Sequence, residues 1–271
     1  MKKIAIYCVN YHSYDSLSCF LASIDKAAEQ AVETVSVSVF VADNSVPSSE
    51  VDFNPRFFSL LVIPTGKNLG YFGAINAAMK QHAPQAFDCS IISNVDVEID
   101  VDFFAQLYSS LSVEGDLQSP PSIGWIAPQI YSQVEKRDRN PKIMQRYGKR
   151  KLQILKALFR FPVLYNLYTH TLYKSKGLIN HEPGEIYAGH GSFIILTQHF
   201  FQECSIIDYP VFLFCEEIYL GEQCLSHGLK VIYNPSIKVT DREHASTSSF
   251  RRGQYCKYNY DAISYILNKF Y

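Results

Sequence analysis

The sequence predicts an α/β fold built on a sheet of largely parallel strands. Three observations predict it. Over the first 110 residues, short β-prone apolar runs alternate with segments whose apolar residues recur at helical spacing, an order that implies largely parallel strands. Acids, amides and small polar residues gather where those strands end. The chain has 271 residues, 47% hydrophobic and 19% charged, enough for a sizeable core and too apolar for a disordered chain.

The elements follow in order. Residues 4–9 form the first strand. Leu17, Phe20, Leu21, Ile24 and Ala28 then share one helical face, with Ser13 or Asp15 available as N-cap. Residues 35–42 and 60–63 are strands, 70–82 a helix, 89–93 a fourth strand and 102–111 another helix. Residues 112–122 are a polar Ser/Pro-rich loop, and 123–131 a strand. Residues 191–196 and 229–233 resume strands, a helix starts near Cys215, and 253–270 close the chain as a helix. The length suits one large domain or two small ones. No internal repeat is visible.

The net charge of -1 conceals an uneven distribution. Residues 136–176 hold 12 of the 25 Lys and Arg and one acid, Asp138, so this segment carries +11 and the remainder -12. Within it Leu152, Leu155, Phe159 and Val163 recur at roughly helical spacing, a basic helical insertion. Such a helix either lies on an anionic membrane surface or packs on the core or a neighbouring subunit with a solvated basic face. The seven Cys are odd in number and form no CxxC pair. That argues against a zinc site and fits a reducing, cytoplasmic compartment. No signal-peptide pattern is recognisable, and no apolar run reaches the roughly 18 residues of a spanning helix.

Five polar constellations can carry chemistry. Asp43-Asn44-Ser45 closes the second strand, where ligands of such sheets bind; a polar turn is the plain alternative. In Gly66-Lys67-Asn68-Leu69-Gly70-Tyr71-Phe72-Gly73-Ala74-Ile75-Asn76, glycines at a helix start let backbone amides approach an anion, although the spacing is not that of a dinucleotide fingerprint or P-loop. Asn94-Val95-Asp96 ends the fourth strand, where an acid can hold a hard divalent cation on a diphosphate. Glu216-Glu217 follows the aromatic run Phe212-Leu213-Phe214. A carboxylate desolvated there suits a general base, while acids in a helix first turn also favour the dipole. His244 follows the last strand, three residues after Asp241.

In their order, these residues resemble the family 2 glycosyltransferases of the GT-A fold, especially the rhamnosyltransferase-like branch of bacterial surface-polysaccharide synthesis. The resemblance runs from Asn10 to about Ser246. It includes Gly189-His190-Gly191-Ser192-Phe193 and Gly228-Leu229-Lys230-Val231 with Pro235, and the middle segment 131–185 lacks family motifs. It implies a single Rossmann-like GT-A domain over 1–271, an α/β mixed sheet flanked by helices, whose half 1–110 binds the nucleotide-sugar (UDP-, dTDP- or GDP-linked), whose half 111–250, with the basic helical insertion 136–176, binds a saccharide or lipid-linked acceptor, and whose C-terminal helix is 251–271.

By resemblance, Asp43 contacts the base beside Asn10 and Tyr11, and Asn44, Asn68, Gly70, Asn76 and Asn94 line the nucleotide side. Asp96 binds Mg²⁺ or Mn²⁺. Glu217 is the general base of an inverting displacement, Glu216 its neighbour that positions base or acceptor, and His190, Gly191 and Ser192 lie near sugar and acceptor. Three departures stand out: Asn94 replaces an acid of D-x-D, Glu217 replaces Asp, and Asp241 stands where a His often completes the metal site, leaving His244 as the preferred ligand. A nucleotide-sugar-binding protein without catalysis is the competing reading. The missing G-x-G-x-x-G argues against an NAD enzyme, and no nucleic-acid motif is present. The expected location is cytoplasmic, with peripheral attachment to the inner face of the membrane through 136–176 as a further expectation.

Overall fold

The computed structural model describes residues 1–116, 122–163, 165–166, 182–242 and 251–271. Strands β1 (Lys2–Asn10), β2 (Val35–Asp43), β3 (Phe58–Pro64) and β4 (Cys89–Asn94) alternate with helices α1 (Tyr14–Glu29) and α2 (Tyr71–Gln81). The four strands are mutually parallel, in the order β3-β2-β1-β4. The sheet continues through β9 (Phe193–Thr197), β6 (Ile123–Ser132) and β10 (Lys230–Asp241) to the short β5 (Val97–Ile99). β9 runs antiparallel to both β4 and β6, and β10 is parallel to β6. The amino end of β9 therefore lies at the same sheet edge as the carboxyl ends of β1, β2, β4, β6 and β10. Every polar constellation within the described residues is carried to that edge.

The alternation of β1 explains the layers. Ile4, Ile6 and Cys8 face one side with Val37, Val39 and Val41, covered by α1 and α3 (Phe103–Asp116). Ala5 and Tyr7 face the other side with Phe40 and Ala42, covered by α2 and α6 (Glu216–Ser226). Each such aliphatic side chain removed from water contributes about 1.5–3 kcal/mol. β7 (Arg137–Asp138) and β8 (Gly184–Ile186) edge the sheet, and α5 (Gln198–Cys204) follows β9. α4 (Lys149–Arg160) packs its Leu152 and Phe159 into the core beside α7 (Arg252–Phe270).

Four local readings differ from the structure. Helix α3 continues to Asp116 rather than ending at residue 111, with the Ser112 hydroxyl turned back to donate to Tyr108 O at 2.8 Å. β10 runs past Pro235 to Asp241, since a register shift between Asn234 and Lys238 absorbs the missing donor. Ser13 occupies the N-cap of α1, but its hydroxyl turns to Tyr11 O instead of the helix amides. The insertion 136–176 is helical over Lys149–Arg160 but begins with β7; residue 164 and its stretch 167–176 lie outside the described residues.

Candidate active site

Asn10, Asp43, Asn44 and Ser45 are buried at the ends of β1 and β2. Asp43 Oδ1 accepts from Asn10 Nδ2 and from Ser45 N, both at 3.1 Å, and Oδ2 accepts from the Tyr14 hydroxyl at 2.9 Å. Asn10 Oδ1 accepts from Ser13 N, and Ser45 Oγ from His12 N. The Asp43 carboxylate thus points inward and braces two turns, while Tyr11, stacked edge-on against His12, stays exposed at the mouth.

Asn44 organises the following loop. Its Nδ2 donates to Asn68 Oδ1 at 3.2 Å and to Gly70 O at 3.0 Å, and its Oδ1 accepts from Thr65 Oγ1 and Leu69 N. Gly70 has φ +75°, and a Cβ there would sit 2.1 Å from Phe212 O, so only glycine fits. Tyr71 N then donates to that same Phe212 O, which locks α2 onto the segment leading to Glu216. Asn76 lies one turn further along and donates to Ile207 O at 2.8 Å, so it anchors the 205–209 stretch.

The acids converge on the other side. Asn94 N donates to Ser192 O, and Asp96, half-buried, follows β4. Asp96 borders a cavity of about 200 Å³ together with Asp15, Ser16 and Cys19 of α1 and with Glu98 and Arg242. Phe214 and Cys215 both hold positive φ immediately before α6, a backbone cost of roughly 1–3 kcal/mol each that the surroundings must offset. The Tyr209 hydroxyl on Phe214 O, and Phe214 N on Glu216 Oε1 at 2.9 Å, fix this kink. It aims Glu217 at the sheet edge, where Gly191 N donates to its Oε1 at 3.3 Å. A Cβ at Gly191 would approach Glu217 Oε1 to 3.3 Å, so the absent side chain permits this approach.

Burial, followed by the neighbouring charge of Glu217, pushes the Glu216 carboxyl up to about 8. Tyr71 donates to Gly191 O at 2.9 Å; burial and then the charges of Glu216 and Asp96 drive its hydroxyl well up. Burial, with Lys142 and Arg139 adding to it, pushes His190 well below the ordinary imidazole value. Its ring is therefore neutral. Nδ1 accepts from Ser192 N at 3.2 Å and lies 2.9 Å from Ser192 Oγ, which puts the proton on Nε2.

For a divalent cation, Asp96 is a suitable hard oxygen ligand, and Mg²⁺ needs only one or two carboxylates when substrate phosphates and water complete its shell. The residue set fits on that ground. Asp241 is buried and its Oδ2 accepts from Arg139 at 2.9 Å, which commits it to an ion pair. His244 lies outside the described residues. Among the described residues no three His, Cys, Asp or Glu side chains cluster as a metal cage.

Several contributors escape sequence reasoning. Tyr14 holds Asp43; Asn140 accepts from His190 N at 2.7 Å; Lys142 and Arg139 act by charge on the pocket. Only Tyr71 sits inside a motif visible in the sequence, the glycine-rich stretch 66–76.

No protein-family model matches the chain. In sequence it is 26% identical over 265 residues to the N-acetylglucosaminyl-diphospho-decaprenol L-rhamnosyltransferase of two Mycobacterium tuberculosis strains, covering 90% of this chain and 77% of theirs. In structure it is similar to Staphylococcus aureus TarS 1–349, with TM-score 0.55 at 10% identity over 89% of this chain and 60% of that one. TarS 1–349 in complex with UDP-GlcNAc gives TM-score 0.54 at 10% identity, over 92% of this chain and 61% of that one. The chain thus spans about three fifths of the TarS fragment. These likenesses establish the class of architecture: a GT-A fold, with its central mixed sheet flanked by helices. The particular sequence relatives are, by name, sugar transferases.

Proposed function

We propose that the chain is an inverting glycosyltransferase of the family 2, rhamnosyltransferase-like type. It moves a sugar from a UDP-, dTDP- or GDP-sugar to a saccharide acceptor borne on a lipid diphosphate. The observation that carries this reading is the convergence of Asn10–Asp43, Asp96 and Glu216–Glu217 at one sheet edge. The names of the Mycobacterium tuberculosis relatives support the acceptor, and the UDP-GlcNAc complex of TarS supports the donor class.

The nucleotide sits at the carboxyl ends of β1 and β2, with its base against the exposed Tyr11 ring and the turns that Asp43 braces. Asn44, Asn68 and Gly70 shape the adjoining loop. Asp96, with His244, would hold Mg²⁺ or Mn²⁺, which when bound would neutralise charge on the departing nucleoside diphosphate. Glu217 accepts the proton of the acceptor hydroxyl as that oxygen attacks the anomeric carbon from the side opposite the leaving group, so the configuration inverts. Gly191 N–H fixes the direction of the Glu217 carboxylate. Glu216, protonated, adds no second negative charge beside it and serves as a positioning residue for the 214–215 kink. Neutral His190 offers Nε2–H to a sugar hydroxyl.

Thermal shift with UDP-, dTDP- and GDP-sugars and Mn²⁺ tests the donor assignment. One donor class should stabilise the protein, and Asp96→Ala should lose most of that shift. No stabilisation by any nucleotide-sugar would refute it.

A further inference from the structure

We infer that helix α4 and the groove beside it dock the protein on an anionic lipid surface, a step that deepens the lipid-linked acceptor reading above. α4 is two-sided. Leu152 and Phe159 are buried toward α7, yet Ile154 is 62% and Phe161 55% exposed, and Val163 just beyond the helix is 79% exposed. Ile154 lies two residues from Leu152, on the face of α4 turned away from it, and Phe161 and Val163 continue the exposed apolar stripe past the end of the helix, Phe161 being the extended C-cap residue. A single exposed apolar residue is ordinary. Here the stripe is flanked by the exposed Lys149, Arg150, Lys151 and Arg160, and no acid occurs from residue 139 to 163. That is the composition of a helix lying in a membrane interface, apolar side chains in the acyl boundary and cations at headgroup level.

A second feature adjoins the stripe. Between α4 and α7 lies a groove of about 540 Å³, lined by Lys149, Lys156, Arg160, Phe161 and Tyr260. Lys156 Nζ and the Arg160 guanidinium stand 5.3 and 5.6 Å from the centre of the Tyr260 ring, which holds both cations beside the opening. Its size and charge suit a phosphate headgroup. The occupant follows from complementarity. A second copy docking through this face would set cation against cation. A nucleic-acid backbone would use the cations and leave Ile154 and Phe161 in water. An anionic bilayer satisfies both, and the -12 charge of the rest of the chain turns this face toward it.

Vesicle flotation of the full chain decides the matter, using phosphatidylcholine alone and an equal mixture with phosphatidylglycerol. The protein should float with the mixed vesicles only, less so as salt rises. Arg150→Gln/Arg160→Gln should bind about 25-fold more weakly, about fivefold per cation. Ile154→Asp should also lose binding, and both variants should melt like the parent. Equal flotation with both vesicle types, flotation with neither, or undiminished binding of both variants would overturn the inference. So would a dimer that Ile154→Asp dissociates. Flotation involves no sugar transfer, so intact vesicle binding alongside absent transfer would count against the enzymatic reading instead.

Discussion

At Glu216, burial works against charge. The folded protein holds its proton to about pH 8, whereas an unfolded chain releases it near 4.5. Between those values the folded state binds the extra proton, so its contribution to stability falls as pH rises through the window and levels off above it. Glu216→Gln should remove this slope: the variant gains on the parent in melting temperature between about pH 5 and about pH 9. An unchanged difference between variant and parent across that range would contradict the burial argument. At Gly70, alanine would meet Phe212 O at 2.1 Å with φ fixed at +75°. Gly70→Ala should cost about 3 kcal/mol in urea unfolding. At Glu217, Gln retains size and removes the base, so transfer should fall roughly 10²–10⁴-fold with the melt unchanged. Asp43, Asp96 and Glu217 stand out in the sequence because each lies next to a strand or helix end that pattern alone locates. Tyr14 and Asn140 do not, because their partners Asp43 and His190 are 29 and 50 residues away and only the fold brings them together.

Among elements, the basic segment divides by task. Arg139 pairs with Asp241, Lys142 bears on His190 and Glu216, and Arg146 reaches helix α6. Arg146 clasps buried Glu222 with two bonds of 2.7 and 3.0 Å and lies over the Tyr271 ring at 4.2 Å. The hydroxyls of Tyr187 and Tyr271 both donate to Glu222 Oε1 at 2.9 Å. This cluster ties the basic segment and the C-terminal helix to α6, the helix that carries Glu216 and Glu217. Arg146→Ala leaves Glu222 short of its charge partner. Because the arginine is partly in solvent, the loss should be about 2 kcal/mol, below the 3–5 typical of a fully buried pair. Chemical denaturation measures it, and a loss below about 0.5 kcal/mol would make the pair an ordinary surface contact. Strong periodicity makes β1, β2, α1 and α2 legible in the sequence. β5, three residues long, and the part of β10 beyond Pro235 carry too little pattern and depend on each other's pairing.

For the whole molecule, the near-neutral net charge resolves into a mostly acidic domain with a basic segment whose beginning serves the pocket and whose helix α4 buries Leu152 and Phe159 while exposing Lys149, Arg150, Lys151 and Arg160. The fold class follows from strand–helix alternation, while the antiparallel β9 that brings His190–Ser192 to the sheet edge is a matter of topology that periodicity does not encode. No helix among the described residues is long and apolar enough to cross a membrane. Sugar transfer itself tests the assignment of donor, acceptor and base together. The protein is incubated with each nucleotide-sugar class, Mn²⁺ and a saccharide-diphosphate-lipid acceptor, and nucleoside diphosphate and the anomeric configuration of the product are read together. Acceptor-dependent release with one donor, an inverted linkage, and loss of both in Glu217→Gln are expected. A retained configuration, or full turnover by a folded Glu217→Gln variant, would contradict that assignment.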